Sequence, residues 1–486
     1  MRTKPTQQTR SGNRCSSLAI VVGREDDRAA SGVEPMTLAN RIATFATTLT
    51  WDDLTPDAIA AAERAIADTV ACAIGAIDQP AVRVARDYAL TRSGREIATL
   101  LGTGERVEPA LAALVNATAA RDLDANDLFA TAPGRETGHF SDAIPALLAV
   151  AEQHRSTGRD LILATVIAYE IQAALAESYQ WLDRGIHAVS QVAWAVPAAA
   201  GRLMGLTEQE IVNAVGLSGS TGGLILQSWL KPTKRIPMIK SASAGFAAMR
   251  GIEAADLARA GMTAPPDALE TLFDRIEADA QIERFDRLEA REEFAVTRTI
   301  IKRYPAQIYT QSAIQAALEL ASQIKSVDDV AVVTLYGHRK VAAGVQGSGA
   351  AYTPETREAA DHSTPFVIAV ALRDGAFSPA SYEGEPWLEE SLLDLMRQID
   401  LVIDPELDEA FDSAGKLGCR LVIEMIDGSV LQTEIDQPSG HPDRPLSMAE
   451  LESKMAGLVG SSRASSLTAA ATQLRDADSI GALLNQ

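Results

Sequence analysis

Residues Arg159–Tyr179 read RDLILATVIAYEIQAALAESY. Placed on a 3.6-residue helix, the apolar side chains cover most of the circumference instead of a single stripe. A helix without a polar face must be surrounded by protein. The segment therefore predicts the central helix of a mainly α domain.

Helical signals continue on both sides of it. Thr55 ahead of Pro56 marks a start with proline in the first turn, and Ile59–Ile77 follows with Ala-rich helical spacing. Thr207 and Glu210 form a capping box before Ile211–Leu217. Ser241–Gly261 reads as a small-residue helix whose Ala and Gly allow close helix approach. Near Phe294 the texture changes. Val330–Tyr336 (VAVVTLY) has strand character, and the β-type runs Arg420–Ile426 and Ser429–Ile435 flank Asp427-Gly428, a hairpin signal. Helical stretches near Gln311–Gln323 and Pro386–Ile399 lie between, and Ser447 with Glu450 opens another capping box.

At 486 residues the chain exceeds the roughly 250–300 at which a single core stops growing. The expected architecture is mainly α. A large all-helical domain spans 36–292 and is completed by C-terminal helices in 446–486; a smaller α+β lid domain with an antiparallel sheet spans 293–445. Residues 1–35 carry Arg2, Lys4, Arg10 and Arg14 among many Ser and Thr, with an apolar run too short for a secretory core. They are expected to be a disordered extension, or to precede an alternative start at Met36.

Composition excludes several functions. The formal net charge is −21, which argues against nucleic acid or an anionic membrane as the main partner. No run of 18 apolar residues exists, so no membrane span is expected. Cys15, Cys72 and Cys419 are far apart and follow no metal or iron–sulfur spacing, so no metal and no cofactor are expected. A reducing cytoplasm is the expected compartment. There is no G-x-S-x-G elbow, phosphate-binding loop or dinucleotide fingerprint.

Against that acidic background, Ser228–Ile252 (SWLKPTKRIPMIKSASAGFAAMRGI) holds Lys231, Lys234, Arg235, Lys240 and Arg250 and no acid. Such a cluster fits a small anion that the whole-protein field would otherwise repel, or simply a basic loop feeding a helix. Other polar groups sit just ahead of helical runs. Asp124, Asn126, Asp127 and His139 lie in RDLDANDLFATAPGRETGHFSDAIPALLAVAEQ, and a His before a helix with carboxylates upstream suits proton transfer. His187 precedes a long apolar helix. Lys302 precedes Tyr304-Pro305, a stiff bend that can aim an ammonium at a cleft. Asp361 and His362 open another helix. His154, His338 and His441 read as ordinary surface or loop residues.

The order of these segments resembles the MmgE/PrpD family from about Thr37 onward. The most specific pieces are DANDLF…GHFSD, KSASAGFAAMRGIEAADLARAGMTAP, KRYPAQIYTQSAIQAALEL and ADHSTPFVIAVALRDG. The last three look nearer the 2-methylcitrate dehydratase branch than the iminodisuccinate epimerase branch. The resemblance implies a site of Asp124, His139, His187, Lys240 and Lys302, with Lys234, Arg235, Asp127 and Tyr309 binding substrate. It also implies a homodimer and a small polycarboxylate substrate. Several family positions differ here: Phe140 stands where the family's His-Pro-Ser motif has Pro, Ser243 and Tyr309 where His is common, and Phe366 where Tyr is common.

Family reactions begin by removing a proton from carbon next to a carboxylate, so fixed positive charge must stabilise the intermediate. Lys240 and Lys302, helped by Lys234 or Arg235, are the expected clamp. His139 and His187 divide the acid and base roles, with Asp124 orienting one of them. The leading expectation is a metal-independent hydro-lyase acting on a 2-methylcitrate-like tricarboxylate. The alternatives are decarboxylation of cis-aconitate, epimerisation of a small dicarboxylate, and a non-catalytic binding protein.

Overall fold

Thr157 begins the central helix, Gly158–Ser178, through a capping box with Asp160. Its residues are buried on every face, as the Arg159–Tyr179 pattern requires. This helix is long and apolar enough to cross a membrane by length and composition, but 94% of its apolar window is buried within the fold. Each Leu or Ile sealed there contributes roughly 1.5–3 kcal/mol, which accounts for its core position without a bilayer.

The computed structural model describes residues 36–131, 137–221, 223–229, 231–276 and 279–486. The expectations for residues 1–35, Cys15 included, lie outside the described residues. Thr37–Gln486 forms one compact unit that is mainly helical. It contains two principal hydrophobic cores. One draws on residues between Leu38 and Val296 together with Leu446–Leu484. The other draws on Ala306–Ile435. Cys72 and Cys419 are buried free thiols, one in each core.

The terminal helices pack back on the first core. Arg475 pairs with Glu63, and the Gly158 N–H donates to Ala477 O at 2.9 Å. A Cβ at Gly158 would lie 1.8 Å from Leu474 O, so only glycine admits this crossing.

In the second core, Val330–Gly337, Cys419–Met425 and Val430–Ile435 pair antiparallel, with Gly428 at φ +85° in the expected hairpin turn. The sheet as a whole is mixed, not purely antiparallel. Ile399, read from sequence as the end of a helical stretch, instead begins a strand, Ile399–Ile403, that pairs parallel to Val330–Gly337 at the edge. The helix before it stops at Arg397. Five residues are too short a run for periodicity to separate strand from helix end.

Candidate active site

The site is built where two helices end and begin. The Pro109–Asp122 helix terminates at Leu123, and Asp124 follows with φ +51°, a left-handed position more often held by glycine. The Ile239–Arg259 helix packs tightly beside it: a Cβ at Gly245 would fall 2.3 Å from Leu114 O. That close approach carries Lys240, in the first turn, to the turn that bears Asp124.

Lys240 Nζ lies 2.9 Å from Asp124 Oδ2 and 3.4 Å from Asp361 Oδ2. Lys302 Nζ donates to the Asp124 carboxylate and, at 2.8 Å, to its backbone carbonyl. His362 Nε2 stands 3.9 Å from Asp124 Oδ2, while its Nδ1 bonds Asp361. Arg357 bridges Asp122 at 2.9 Å and Asp361 at 3.3 Å. All these side chains are buried or nearly so. Asp124 and Lys240 come from the part of the chain that builds the first core, whereas Lys302 just precedes the second core and Arg357, Asp361 and His362 lie within its range.

Burial alone would raise the Asp124 carboxyl, yet Lys240, Lys302 and His362 outweigh it and hold the group well below the usual carboxylate range. Burial likewise opposes the charge on Lys240, but Asp124 and Asp361 raise its pKa. For Lys302 burial wins and the ammonium is made more acidic, with Arg121 and Lys240 adding repulsion. The two lysines are thus unequal, and Lys302 is the readier proton donor. Asp124, Asp361 and His362 bring ligand atoms within 4.8 Å of one another. Lys240's ammonium already sits between both carboxylates, so positive charge is supplied there by the chain itself.

His139 and His187 border this cluster. Phe129 stacks on Phe140 at 4.6 Å, and Gln172 donates to Phe140 O, fixing the turn after His139. His187 is sewn in by its N–H to Ile225 O and by Gln227 N–H to Gly185 O, both 2.7 Å. Burial, then Arg121 and Lys302, drives His139 well below its ordinary value. Burial, then Arg121 and Lys240, takes His187 down to about 3. Both rings are therefore neutral near pH 7. Val189 N–H donates to His187 Nδ1 at 3.2 Å, which places the neutral ring's proton on Nε2. His139 Nδ1 is buried with no hydrogen-bond partner among the described residues.

Four expected binding residues sit differently. Lys234 and Arg235 are exposed, and Arg235 pairs with Glu355 at 2.7 Å outside the cluster. Asp127 is buried, and its Oδ1 accepts from Ser141 and its Oδ2 from Tyr169 OH at 2.7 Å, so it braces the turn after His139. Tyr309 packs edge-on to His338 and Phe411, an aromatic contact beside the bend. His338, read as an ordinary surface or loop residue, is fully buried and stacked on Phe411 at 4.4 Å.

Sequence reasoning assigned no role to Arg121, Arg357, Asp361 or His362. The adjacent Asp361-His362 pair ahead of the Ser363 cap was the available signal. Ser243 donates to Lys240 O within its own helix, and Phe366 stacks on Tyr382, whose hydroxyl donates to Pro305 O at 2.8 Å.

A cavity of about 800 Å³ lined by Glu177, Arg284, Arg287 and Arg298 contains none of the five expected catalytic residues. Its Arg287 and Arg298 are already paired with Glu170 and Glu177. Volume is a poorer guide here than convergent buried charge.

Residues 40–276 match the MmgE/PrpD N-terminal domain and residues 304–476 the MmgE/PrpD C-terminal domain. The chain is 28% identical over 408 residues to a 2-methylcitrate dehydratase of Cupriavidus necator, covering 79% of this chain and 82% of that protein. It is 26% identical over 406 residues to the Escherichia coli K12 2-methylcitrate dehydratase, covering 78% and 80%. A human cis-aconitate decarboxylase is 26% identical over 421 residues, covering 82% and 83%.

Proposed function

We propose, from the premise that the chain belongs to the MmgE/PrpD family, that it is a hydro-lyase that dehydrates a 2-methylcitrate-like tricarboxylate without a metal. The observation that carries the reading is the buried pair of ammoniums, Lys240 and Lys302, on the single strained carboxylate of Asp124.

Removing a proton from carbon beside a carboxylate places a second negative charge on that carboxylate. Preorganised ammoniums stabilise it at no reorganisation cost. The neutral histidines fit the proton transfers. Burial first, and then the field of Arg121 and Lys302, suppresses protonation of His139; a bound polyanion offsets that field, so His139 becomes more basic when substrate arrives. His139, whose Nδ1 has no hydrogen-bond partner among the described residues, takes the carbon proton. His187 donates a hydrogen bond from Nε2–H to the departing oxygen, and the Lys302 ammonium, made more acidic by burial, gives that oxygen its proton and is left as an amine. The hydroxyl leaves as water, and a carbon–carbon double bond remains.

The segment 293–445 acts as a lid, because the cluster is sealed and includes Lys302, Arg357, Asp361 and His362 from that side. The protein is cytoplasmic and homodimeric. Exposed Leu226, Met238, Ile239 and Phe246 are the apolar side chains that a second copy would cover. Decarboxylation of cis-aconitate and epimerisation of a dicarboxylate share the first proton abstraction, and no feature of the cluster favours either.

The test mixes purified protein, with and without chelator, with 2-methylcitrate, citrate, cis-aconitate and small dicarboxylates. Ultraviolet absorbance of an unsaturated acid is expected from 2-methylcitrate in both conditions. Carbon dioxide release from cis-aconitate as the main reaction, or activity abolished by chelator, would overturn the reading.

A further inference from the structure

Two consecutive carbonyls in the Asp124 turn each accept a buried ammonium. Asp124 O takes Lys302 at 2.8 Å, and Ala125 O takes Lys454 at 2.7 Å. Lys454 lies on the C-terminal helix Met448–Val459, 329 residues from Ala125, and its ammonium is 2.5 Å from Asp68 Oδ1. Asp68 sits on the Pro56–Gly75 helix and is 1% exposed. A buried lysine paired with a buried aspartate is a weak source of stability, because two desolvation costs stand against one attraction. Such a pair is better explained by what it holds in place.

What it holds is backbone under strain. Asp124 occupies a left-handed conformation that is unfavourable for a non-glycine residue and persists only where its surroundings enforce it. The carbonyls there also lie at the negative end of the Pro109–Asp122 helix, which favours cations. We infer that Lys454, oriented by Asp68, is a positioning residue for Asp124: its grip on the Ala125 carbonyl keeps the turn left-handed and the Asp124 carboxylate between Lys240 and Lys302. The C-terminal helix is then part of the catalytic apparatus although it touches no substrate. A small cavity of about 160 Å³ opens onto Ala125 and Lys454, between Tyr304-Pro305 and Phe377–Pro379.

The kinetic arm of the test rests on the lyase reading above; the structural arm does not. In a crystal structure of the full chain carrying Lys454→Met, Asp124 is expected to leave the left-handed region and its carboxylate to withdraw from Lys240. In turnover of 2-methylcitrate, kcat is expected to fall about 100-fold, as for a misplacement near 1 Å, with KM little changed. Lys454→Arg restores most of kcat, because it returns a cationic donor to Ala125. The cavity provides a second rescue: ethylammonium is expected to restore part of the rate to Lys454→Ala. Should Lys454→Met fail to fold, Asp68→Asn takes its place, with a smaller kcat loss and the same backbone change. An unchanged Asp124 backbone in whichever variant folds overturns the inference, as does a kcat loss that only tracks the unfolded fraction. A parent enzyme inactive on 2-methylcitrate defeats the lyase reading alone.

Discussion

The Lys240 ammonium lies 2.9 Å from the Asp124 carboxylate, joining the first turn of one helix to the left-handed residue that ends another. The pair depends on how closely the two helices approach at Gly245. Each member has a second partner, Asp361 for Lys240 and Lys302 for Asp124, so the pair is part of a network in which an unpaired buried charge would be costly.

Gly245→Ala tests that dependence. Its new Cβ would meet Leu114 O at 2.3 Å, and a carbonyl cannot yield without moving the helix. A loss of about 1–3 kcal/mol is expected from overpacking, together with lower turnover as Lys240 shifts. Thermal denaturation and kcat are the measurements; parent-like values for both would remove the packing explanation.

Lys240→Met keeps the length of the side chain and removes its charge. A fall in kcat of about 10²–10³ is expected, the scale of losing one preorganised electrostatic group. Steady-state rates on 2-methylcitrate decide it, and a variant within threefold of the parent would falsify the clamp.

The two histidines are separable by isotope exchange. In deuterated buffer, His139→Gln is expected to stop incorporation of deuterium at carbon, at a cost of roughly 10²–10⁴ in rate. His187→Gln should still exchange while losing water slowly. The opposite pattern would exchange the roles of the two residues.

His338 makes the fold sensitive to acid. Burial takes its pKa down to about 4; Asp408 resists this, while Arg339 and Lys340 reinforce it. The unfolded chain takes up a proton near pH 6.5 that the folded state refuses until about pH 4. Stability from this residue is therefore complete above the unfolded value and is lost as pH falls through that window, by about 1.4 kcal/mol per pH unit. Denaturant melts of His338→Leu should show a shallower acid slope than the parent. Identical slopes would mean that His338 titrates normally.

Much of the fold was legible because it rests on local rules. The all-round apolar pattern at Arg159–Tyr179, the capping boxes at Thr207 and Ser447, and the Asp427-Gly428 turn all appear as read. The edge strand Ile399–Ile403 was not legible, since parallel pairing is decided by a distant neighbour. At the site, residue types singled out Asp124, Lys240 and Lys302, and the fold brings the three into contact. They also singled out Asp127 and Arg235, but a charge in a sequence does not reveal which partner already holds it.

By itself, then, the sequence determined the elements and the kinds of group near the chemistry: helix spacing, caps and a hairpin are properties of neighbours within a few residues. Only the tertiary structure decided that Lys240, Lys302, Arg357 and His362 converge around Asp124 and Asp361. It alone showed that Lys454 reaches Ala125 from the far end of the chain. The physical reason is that these contacts arise from helix crossings and buried charge pairing, in which desolvation and distance, not local propensity, select the partner.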